Sequence, residues 1–227
     1  MLDNHKARVR ILAVTDVATR PISTPMREPT VVAYSVLKRS LDVVGALALL
    51  LLFAPMMILA AVSIKATSKG PVFFRQQRTG LNGRPFEILK YRSMTVLEDG
   101  EDVRQASRND ARVTMVGAVL RRSSADELPQ LINVVRGDMS LIGPRPHAVA
   151  HDRYYGALLP DYALRFRARP GISGLAQIRG ERGETADVAD MKRRVDLDNQ
   201  YVDEWTFLGD LKILIMTALI VPFQSAY

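Results

Sequence analysis

The dominant feature of the hydrophobic pattern is an unbroken apolar run. Over residues 43–64 the chain reads VVGALALLLLFAPMMILAAVSI, with no charged residue and no polar face. A soluble core helix of this length normally keeps one polar stripe, and about 20 apolar residues cross a bilayer core. The run therefore predicts a membrane helix. Lys38 and Arg39 precede it, and Lys65 and Lys69 follow it. A simple crossing would carry one basic flank to the side where basic flanks are disfavoured. Pro55, near the middle, removes a helix hydrogen bond and favours a kink. Two arrangements fit: a re-entrant helix–break–helix hairpin with its membrane break at Pro55, and a kinked spanning helix.

After Gly70 and Pro71 the pattern changes. VFFRQQR and PFEILKYRSM flank a link holding Gly80, Asn82 and Gly83, and Asn-Gly between strand-like runs predicts a β-hairpin. Helical patterns follow over residues 113–122, 126–135, 152–166 and 187–204. A final apolar run, residues 213–223, is too short to span. Trp205 and Phe207 before it suit a helix at a membrane interface; a core helix fits as well. The first 30 residues are mixed in charge, are interrupted by Pro21, Pro25 and Pro29, and lack the basic start and apolar core of a secretory signal. The expected fold class is α+β: a mobile leader over residues 1–37, a membrane segment over 38–69, and a small domain over 70–227 carrying a β-hairpin and several helices, some on the membrane surface.

Charge narrows the partners. A net charge of +7 and a pI of about 9.9 favour nucleic acid, acidic lipid or a phosphorylated substrate. The apolar run and the lack of any nucleic-acid-binding motif argue against nucleic acid. The absence of cysteine excludes disulfides and thiolate metal sites. Neither a G-x-x-x-x-G-K-[ST] loop nor a G-x-G-x-x-G fingerprint is present, and His5, His147 and His151 form no metal-spaced motif.

The candidate chemistry lies in RRSSADELPQLINVVRGDMSLIGPRPH, residues 121–147. Ser124 and Glu127 have capping-box spacing, and acids in a first helical turn complement the helix dipole. A helix capped by Ser124 would place Pro129 past its first turn, at the loss of a hydrogen bond. A helix beginning at Asp126 avoids that loss. It sets Asp126 and Glu127 at a helix mouth, where phosphate also binds. Arg121 and Arg122 precede the pair, and Arg145 follows between two prolines. Lys90 and Arg92 come from the hairpin. Arg167, Arg169, Arg179 and Arg182 surround the glycine-rich RPGISGLAQIRGERG. Arginine forks match phosphate oxygens, and glycines let backbone approach a ligand. Lys90, Arg121, Arg145, Arg169 and Arg182 are thus candidate ligands for substrate phosphate or nucleotide. From the residues alone, helix capping and phosphoryl chemistry both remain open for the acidic pair.

Several segments, in order, resemble one family. KRSLDVVGALALLLLFAP, GPVFFRQQRTGLNGRPFEILKYRSM, RVTMVGAVLRR, DELPQLINVVRGDMSLIGPRP, RPGISGLAQIRGERGET and DLDNQYVDEWTFLGDLKIL resemble the monotopic bacterial phosphoglycosyl transferases, the bacterial sugar transferase family. The resemblance covers nearly everything beyond the leader. It implies transfer of a sugar 1-phosphate from a UDP-sugar to undecaprenyl phosphate, with release of UMP and priming of exopolysaccharide synthesis. It implies Asp126 as the nucleophile that forms a covalent phosphosugar intermediate, with Glu127 beside it holding magnesium. It also implies a re-entrant membrane helix and a domain on the cytoplasmic face of the bacterial inner membrane. UDP-sugar, undecaprenyl phosphate and membrane lipid are the implied partners, and a homodimer is compatible with it.

Two departures stand out. Ala54-Pro55 replaces a common Ser-Pro, leaving one hydroxyl fewer for the freed backbone, and Leu175-Ala176-Gln177 replaces a common Trp-Ala-Gln. The RGERGET run resembles the subgroup that uses glucose or galactose 1-phosphate. The alternative of another class is a non-catalytic membrane scaffold for polysaccharide assembly.

Overall fold

The computed structural model of the protein describes residues 30–95, 110–181, 183 and 187–220. A one-turn helix α1 (Val31–Tyr34) leads into the long α2 (Val36–Thr67), then the antiparallel hairpin of β1 (Phe73–Thr79) and β2 (Pro85–Tyr91). Next come α3 (Met115–Arg122), a 3-10 turn over Ala125–Glu127, and α4 (Gln130–Arg136). β3 (Ser140–Ile142) pairs in parallel with β4 (Gly171–Ser173), and α5 (Val149–Leu158) and a 3-10 helix over Tyr162–Arg167 lie between them. The short α6 (Leu175–Ile178), α7 (Val188–Asp203) and α8 (Phe207–Ile220) follow. The mixed class expected from the sequence is what forms.

Local chemistry explains the boundaries. Asn82 and Gly83 take φ of 55° and 74°, the left-handed turn their sequence predicts. Gly80 N–H closes the loop on the Arg84 carbonyl at 2.8 Å. Thr114 caps α3 by accepting from Gly117 N at 2.9 Å, and Asp187 caps α7 by accepting from Asp190 N at 2.8 Å. The single helix expected over residues 152–166 is two. α5 stops at Leu158 and the 3-10 helix starts at Tyr162, because Pro160 between them has no N–H to continue the ladder. The described end of the expected leader is packed: Val32 and Ala33 are buried, and Thr30 donates to the Arg167 carbonyl at 2.6 Å. Residues 1–29 lie outside the described residues.

α2 holds 32 residues with Pro55 inside, about 48 Å of helix. The expected break does not interrupt it. A proline deletes one ladder bond, and here packing holds the helix on both sides of that loss. Toward the N-terminus, Ala46 enters the main core with Leu131, Val134, Met139, Leu141 and Ile142. Toward the C-terminus, Ala60 and Ile64 pack with Tyr91, Leu120 and Ala125, and the Tyr91 hydroxyl donates to the Met57 carbonyl at 2.7 Å. Both ends therefore rest on the same domain. Between them Leu51 and Leu52 are 80% and 67% exposed, and Met56, Ile58 and Leu59 are exposed too.

A buried charge cluster fastens the first end. Lys38 Nζ lies 3.2 Å from Asp42 and 3.0 Å from Asp210 of α8. Asp42 also accepts from Ser140 Oγ at 2.8 Å and Leu141 N at 2.9 Å. Asp210 accepts from Tyr201 at 2.9 Å and Trp205 Nε1 at 3.0 Å. Arg39 next door donates to the carbonyls of Val134 and Val135 at 2.6 and 2.8 Å, satisfying the open C-terminal end of α4. Trp205, expected at a membrane interface, is tied inward by its N–H. α8 buries Asp210 and Ile213 and exposes Leu208, Ile215 and Leu219, so it has both a core face and an outward apolar face.

Lys38→Met leaves two buried carboxylates without their cation. Removing one partner of a buried ion pair costs about 3–5 kcal/mol. The variant should show a markedly lower thermal unfolding midpoint in detergent or nanodiscs. An unchanged midpoint would show that the cluster does not hold α2 to the domain.

Candidate active site

The acidic pair sits on neither of the two backbones its sequence suggests. Ser124 is left-handed, with φ of 56°, and its side chain caps nothing, so the capping box does not form. α4 does not begin at Asp126 either. Pro129 occupies its N-cap position and Gln130 is its first residue, which spares the proline any ladder bond. Asp126 and Glu127 instead lie on the tight 3-10 turn between α3 and α4. The turn is anchored by Ala125, buried against Ile64 of α2 and Leu120 of α3, so the position of the acids depends on the membrane helix.

The two carboxylates meet different surroundings. Glu127 is locked between two cations. Lys90 Nζ lies 2.9 Å from Oε1, and the Arg145 guanidinium donates to both carboxylate oxygens, at 3.2 Å to Oε2. Burial pushes the Glu127 pKa up, but the charges and hydrogen bonds of Arg145 and Lys90 outweigh it and hold the group well below the usual range. Asp126 is half-buried, and no described residue donates a hydrogen bond to it. Burial, then the adjacent Glu127 charge, raises its pKa to about 6, against the opposing pull of Lys90, Arg121 and Arg145. One acid is a fixed anchor and the other an open carboxylate, the kind of split that marks functional pairs.

The framework behind Lys90 and Arg145 is built from polar residues that sequence reasoning missed. Asn133 on α4 is fully buried; it accepts from Leu89 N at 3.0 Å and donates to the Glu87 carbonyl at 2.7 Å. It thereby sets β2, and so Lys90, against the helix that follows the dyad. Arg165, 2% exposed, pairs with Asp198 at 2.7 Å and donates to the Arg145 carbonyl, so it fixes the loop between the two prolines. Tyr162 donates to Asp152 at 2.7 Å beneath the same loop. The only sequence signal for these residues was polarity inside otherwise helical patterns.

Of the predicted ligands, the structure brings Lys90 and Arg145 onto Glu127 and places the Arg121 charge on Asp126. Arg169 goes elsewhere: its guanidinium bonds the Gly137 carbonyl at 3.1 Å and the Ala33 carbonyl, clamping α1 to the end of α4. Arg182 lies outside the described residues. Pro55 is exposed on α2, away from the dyad's contacts. For a metal, the donors available are the two adjacent carboxylates; no cluster of three or more His, Asp or Glu occurs among the described residues. Magnesium suits such a pair, because it commonly takes one or two carboxylates and fills its shell with substrate phosphate and water.

A long apolar helix on a small α+β domain, with an open acid among cations, defines a membrane-associated protein built to handle phosphate. The comparisons place it further. Residues 33–224 match the bacterial sugar transferase family, and the chain belongs to that family. It is 58% identical over 186 residues to a UDP-glucose:undecaprenyl-phosphate glucose-1-phosphate transferase of Caulobacter vibrioides, covering 82% of this chain and 70% of the relative. It is 50% identical to the protein of the same name in Escherichia coli, over 80% of this chain but only 39% of that longer relative. An exopolysaccharide production protein, PSS, of Rhizobium leguminosarum is 44% identical over 81% of this chain and 94% of its own length.

Glu127→Gln removes a charge that raises Asp126 and frees two cations that lower it. The Asp126 carboxyl should therefore titrate near pH 6 in the wild type and distinctly lower in the variant, as read by carbon NMR of labelled aspartate. An unshifted titration would show that the two acids are not coupled.

Proposed function

We propose that the protein transfers glucose 1-phosphate from UDP-glucose to undecaprenyl phosphate, releasing UMP, as the priming step of exopolysaccharide synthesis on the cytoplasmic face of the bacterial inner membrane. Its relatives named UDP-glucose:undecaprenyl-phosphate glucose-1-phosphate transferase support the substrates, and the exopolysaccharide production protein supports the pathway step. The observation that carries the chemistry is the division between an anchored Glu127 and an open, raised Asp126.

In this reading Asp126 attacks the β-phosphorus of the donor. A bond forms from its carboxylate oxygen to phosphorus, and the bond to the bridging oxygen breaks, its electrons leaving with UMP. A phosphate oxygen of undecaprenyl phosphate then attacks the same phosphorus, the bond to Asp126 breaks, and the carboxylate is restored. No proton need be removed from either nucleophile, which fits a site without a free general base. Lys90, Arg145 and Arg121 offset the repulsion between carboxylate and diphosphate and stabilise charge on the transferring group. Asp126 and Glu127 would hold magnesium, which would neutralise further diphosphate charge.

In this reading α2 bends at the ladder bond that Pro55 removes, dips its middle into the bilayer and keeps both ends on one side. A single crossing would put its two ends on opposite faces, whereas residues near Lys38 and near Ile64 both pack on one domain. The exposed middle, Leu51 to Leu59, is the part that meets lipid. Met115 and Val119 of α3, 89% and 65% exposed, extend the apolar surface toward Arg121, Arg122 and the dyad, where a lipid-borne phosphate would arrive.

Asp126→Asn should abolish UMP release from UDP-glucose in the presence of magnesium and undecaprenyl phosphate, together with any labelling of the protein by phosphosugar. Retained turnover would exclude the covalent route. Absence of UMP release by the wild type with every UDP-sugar would point to a scaffold instead. Because Asp126 must be ionised to attack, kcat/KM should fall as pH drops through about 6, approaching tenfold per unit below it. A flat profile from pH 5 to 7 would count against Asp126 as the attacking group.

A further inference from the structure

The cations at this site outnumber the acids that occupy them, and the surplus lies on one side. Arg78 on β1 donates to the Pro146 carbonyl at 3.3 Å and to Gln76, which places it against the loop that carries Arg145. No carboxylate forms an ion pair with it among the described residues, and its Nε is buried without a partner. Arg194 on α7 is 7% exposed. Among the described residues it donates to the Gly183 carbonyl at 3.3 Å, and its Nε is likewise buried and unpartnered. His147, also 7% exposed, adds a third donor. Its Nδ1 lies 2.8 Å from Arg165 Nη1, and a guanidinium only donates. Nδ1 is therefore the acceptor and Nε2 carries the proton. That Nε2 is buried with no partner.

The nearby acids are partly committed. Asp152 is bound by Tyr162 through Oδ1 and faces Arg165, while its Oδ2 is buried without a partner, and Asp198 is bound by Arg165. Burial pulls down the pKa of both Arg78 and Arg194 and the Arg145 charge adds to it, against the opposing pull of Asp152 on Arg78 and of Asp198 on Arg194. Buried donors without partners are costly. Arg78 and His147 hold two of them at the loop that carries Arg145, and Arg194 on α7 holds the third, donors left over for oxygen acceptors.

The order of the cations gives the ligand its direction. Arg121, Lys90 and Arg145 act on the dyad. Arg78 acts on Lys90, Glu127 and Arg145, and Arg194 acts on Arg145 and His147. Geometry gives the same direction: Arg145 reaches Glu127, Arg78 bonds the Pro146 carbonyl of the same loop, and Arg165 joins that loop to Asp198 of α7. In a diphosphate whose β-phosphorus faces Asp126, the second phosphate lies one bridging oxygen further in that direction.

We propose that Arg78 and Arg194, with His147 Nε2, bind the nucleoside-side phosphate of the donor and hold the leaving nucleotide phosphate after transfer. This rests on the reading of the dyad as the attacking site. It assigns the surplus cations to departure of the nucleotide, with Lys90 and Arg121 left to the transferring phosphate. Guanidinium forks suit this role, since charge builds on the leaving phosphate as the bridging bond breaks.

The test compares UMP with uridine as inhibitors of UMP-forming turnover and as ligands in titrations of the full chain in nanodiscs. Wild type should prefer UMP strongly. In Arg194→Gln and Arg78→Met that preference should shrink about ten- to a hundredfold, the loss expected for a charge-assisted hydrogen bond, while uridine affinity stays put. Arg78→Lys should fall between. If Arg78→Met does not fold, Arg194→Gln and Arg78→Lys carry the test. Folded variants that keep the wild-type UMP preference would overturn the assignment. Loss of UMP and uridine binding in parallel would also overturn it, since that marks a structural role. A wild type that neither binds UMP nor releases it would instead refute the transferase reading itself.

Discussion

The structure depends first on a lysine inside the protein. Lys38 lies 4% exposed between Asp42 and Asp210, and each carboxylate is further occupied by groups from β3, from α7 or from the link between α7 and α8. Removing three charges from water is expensive, and such clusters are rarely the most stable filling for a core. What this one supplies is position. Most of the middle of α2 is exposed, so few of its residues fix its rotation against the domain. Lys38 reaching Asp210 of α8, and Asp42 of α2 itself accepting from Ser140 and Leu141, together allow one register. The long helix is therefore located by its polar end.

That location reaches the dyad through packing. The far end of α2 places Ile64 against Ala125, and Ala125 begins the turn that carries Asp126 and Glu127. On the other side, Asn133 ties α4 to β2 and so sets Lys90 against Glu127. Arg165 ties the loop of Arg145 to α7. Three supports of different kinds, apolar, amide and ionic, converge on one acidic pair. The Glu127 carboxylate closes the arrangement by bridging Lys90 and Arg145, which come from elements far apart in the chain.

The features legible in the sequence were those whose cause is local. Asn82-Gly83 forced a turn because both residues tolerate positive φ, and the charge-free run from residue 43 to 64 could only be an apolar helix. The Asp-Glu pair stood out as a candidate, with helix capping and phosphoryl chemistry both open from the residues alone. Its backbone was not legible, because Pro129 tells where a helix cannot continue without telling that a left-handed Ser124 would open a separate turn. Asp42, Asn133 and Arg165 were invisible for another reason. Their partners lie 98, 44 and 33 positions away, and nothing in their neighbours distinguishes a buried polar residue from a solvated one. Arg169 shows the converse. An arginine beside Pro and Gly looks the same whether it awaits a phosphate or has already spent its donors on the carbonyls of Ala33 and Gly137.

That last contrast gives a criterion for reading the remaining arginines. A guanidinium whose donors end on carbonyls or on committed carboxylates is a fastener, as Arg39, Arg165 and Arg169 are. One that is buried with an N–H left over has been desolvated without compensation, which a fold tolerates where a ligand restores the balance. Arg78 and Arg194 meet the second description; Arg92 also keeps a buried Nε, but its other donors end on Ser68 and Lys69, and Arg145 stands between the two, bound to Glu127 yet 26% exposed. The same criterion separates the two acids. Glu127 has the contacts of a structural group and the depressed pKa that goes with them, while Asp126 keeps an open carboxylate beside an excess of positive charge. Of the acids around the dyad, Asp126 is the one to which no described residue donates a hydrogen bond, and that is the state the proposed attack on phosphorus requires.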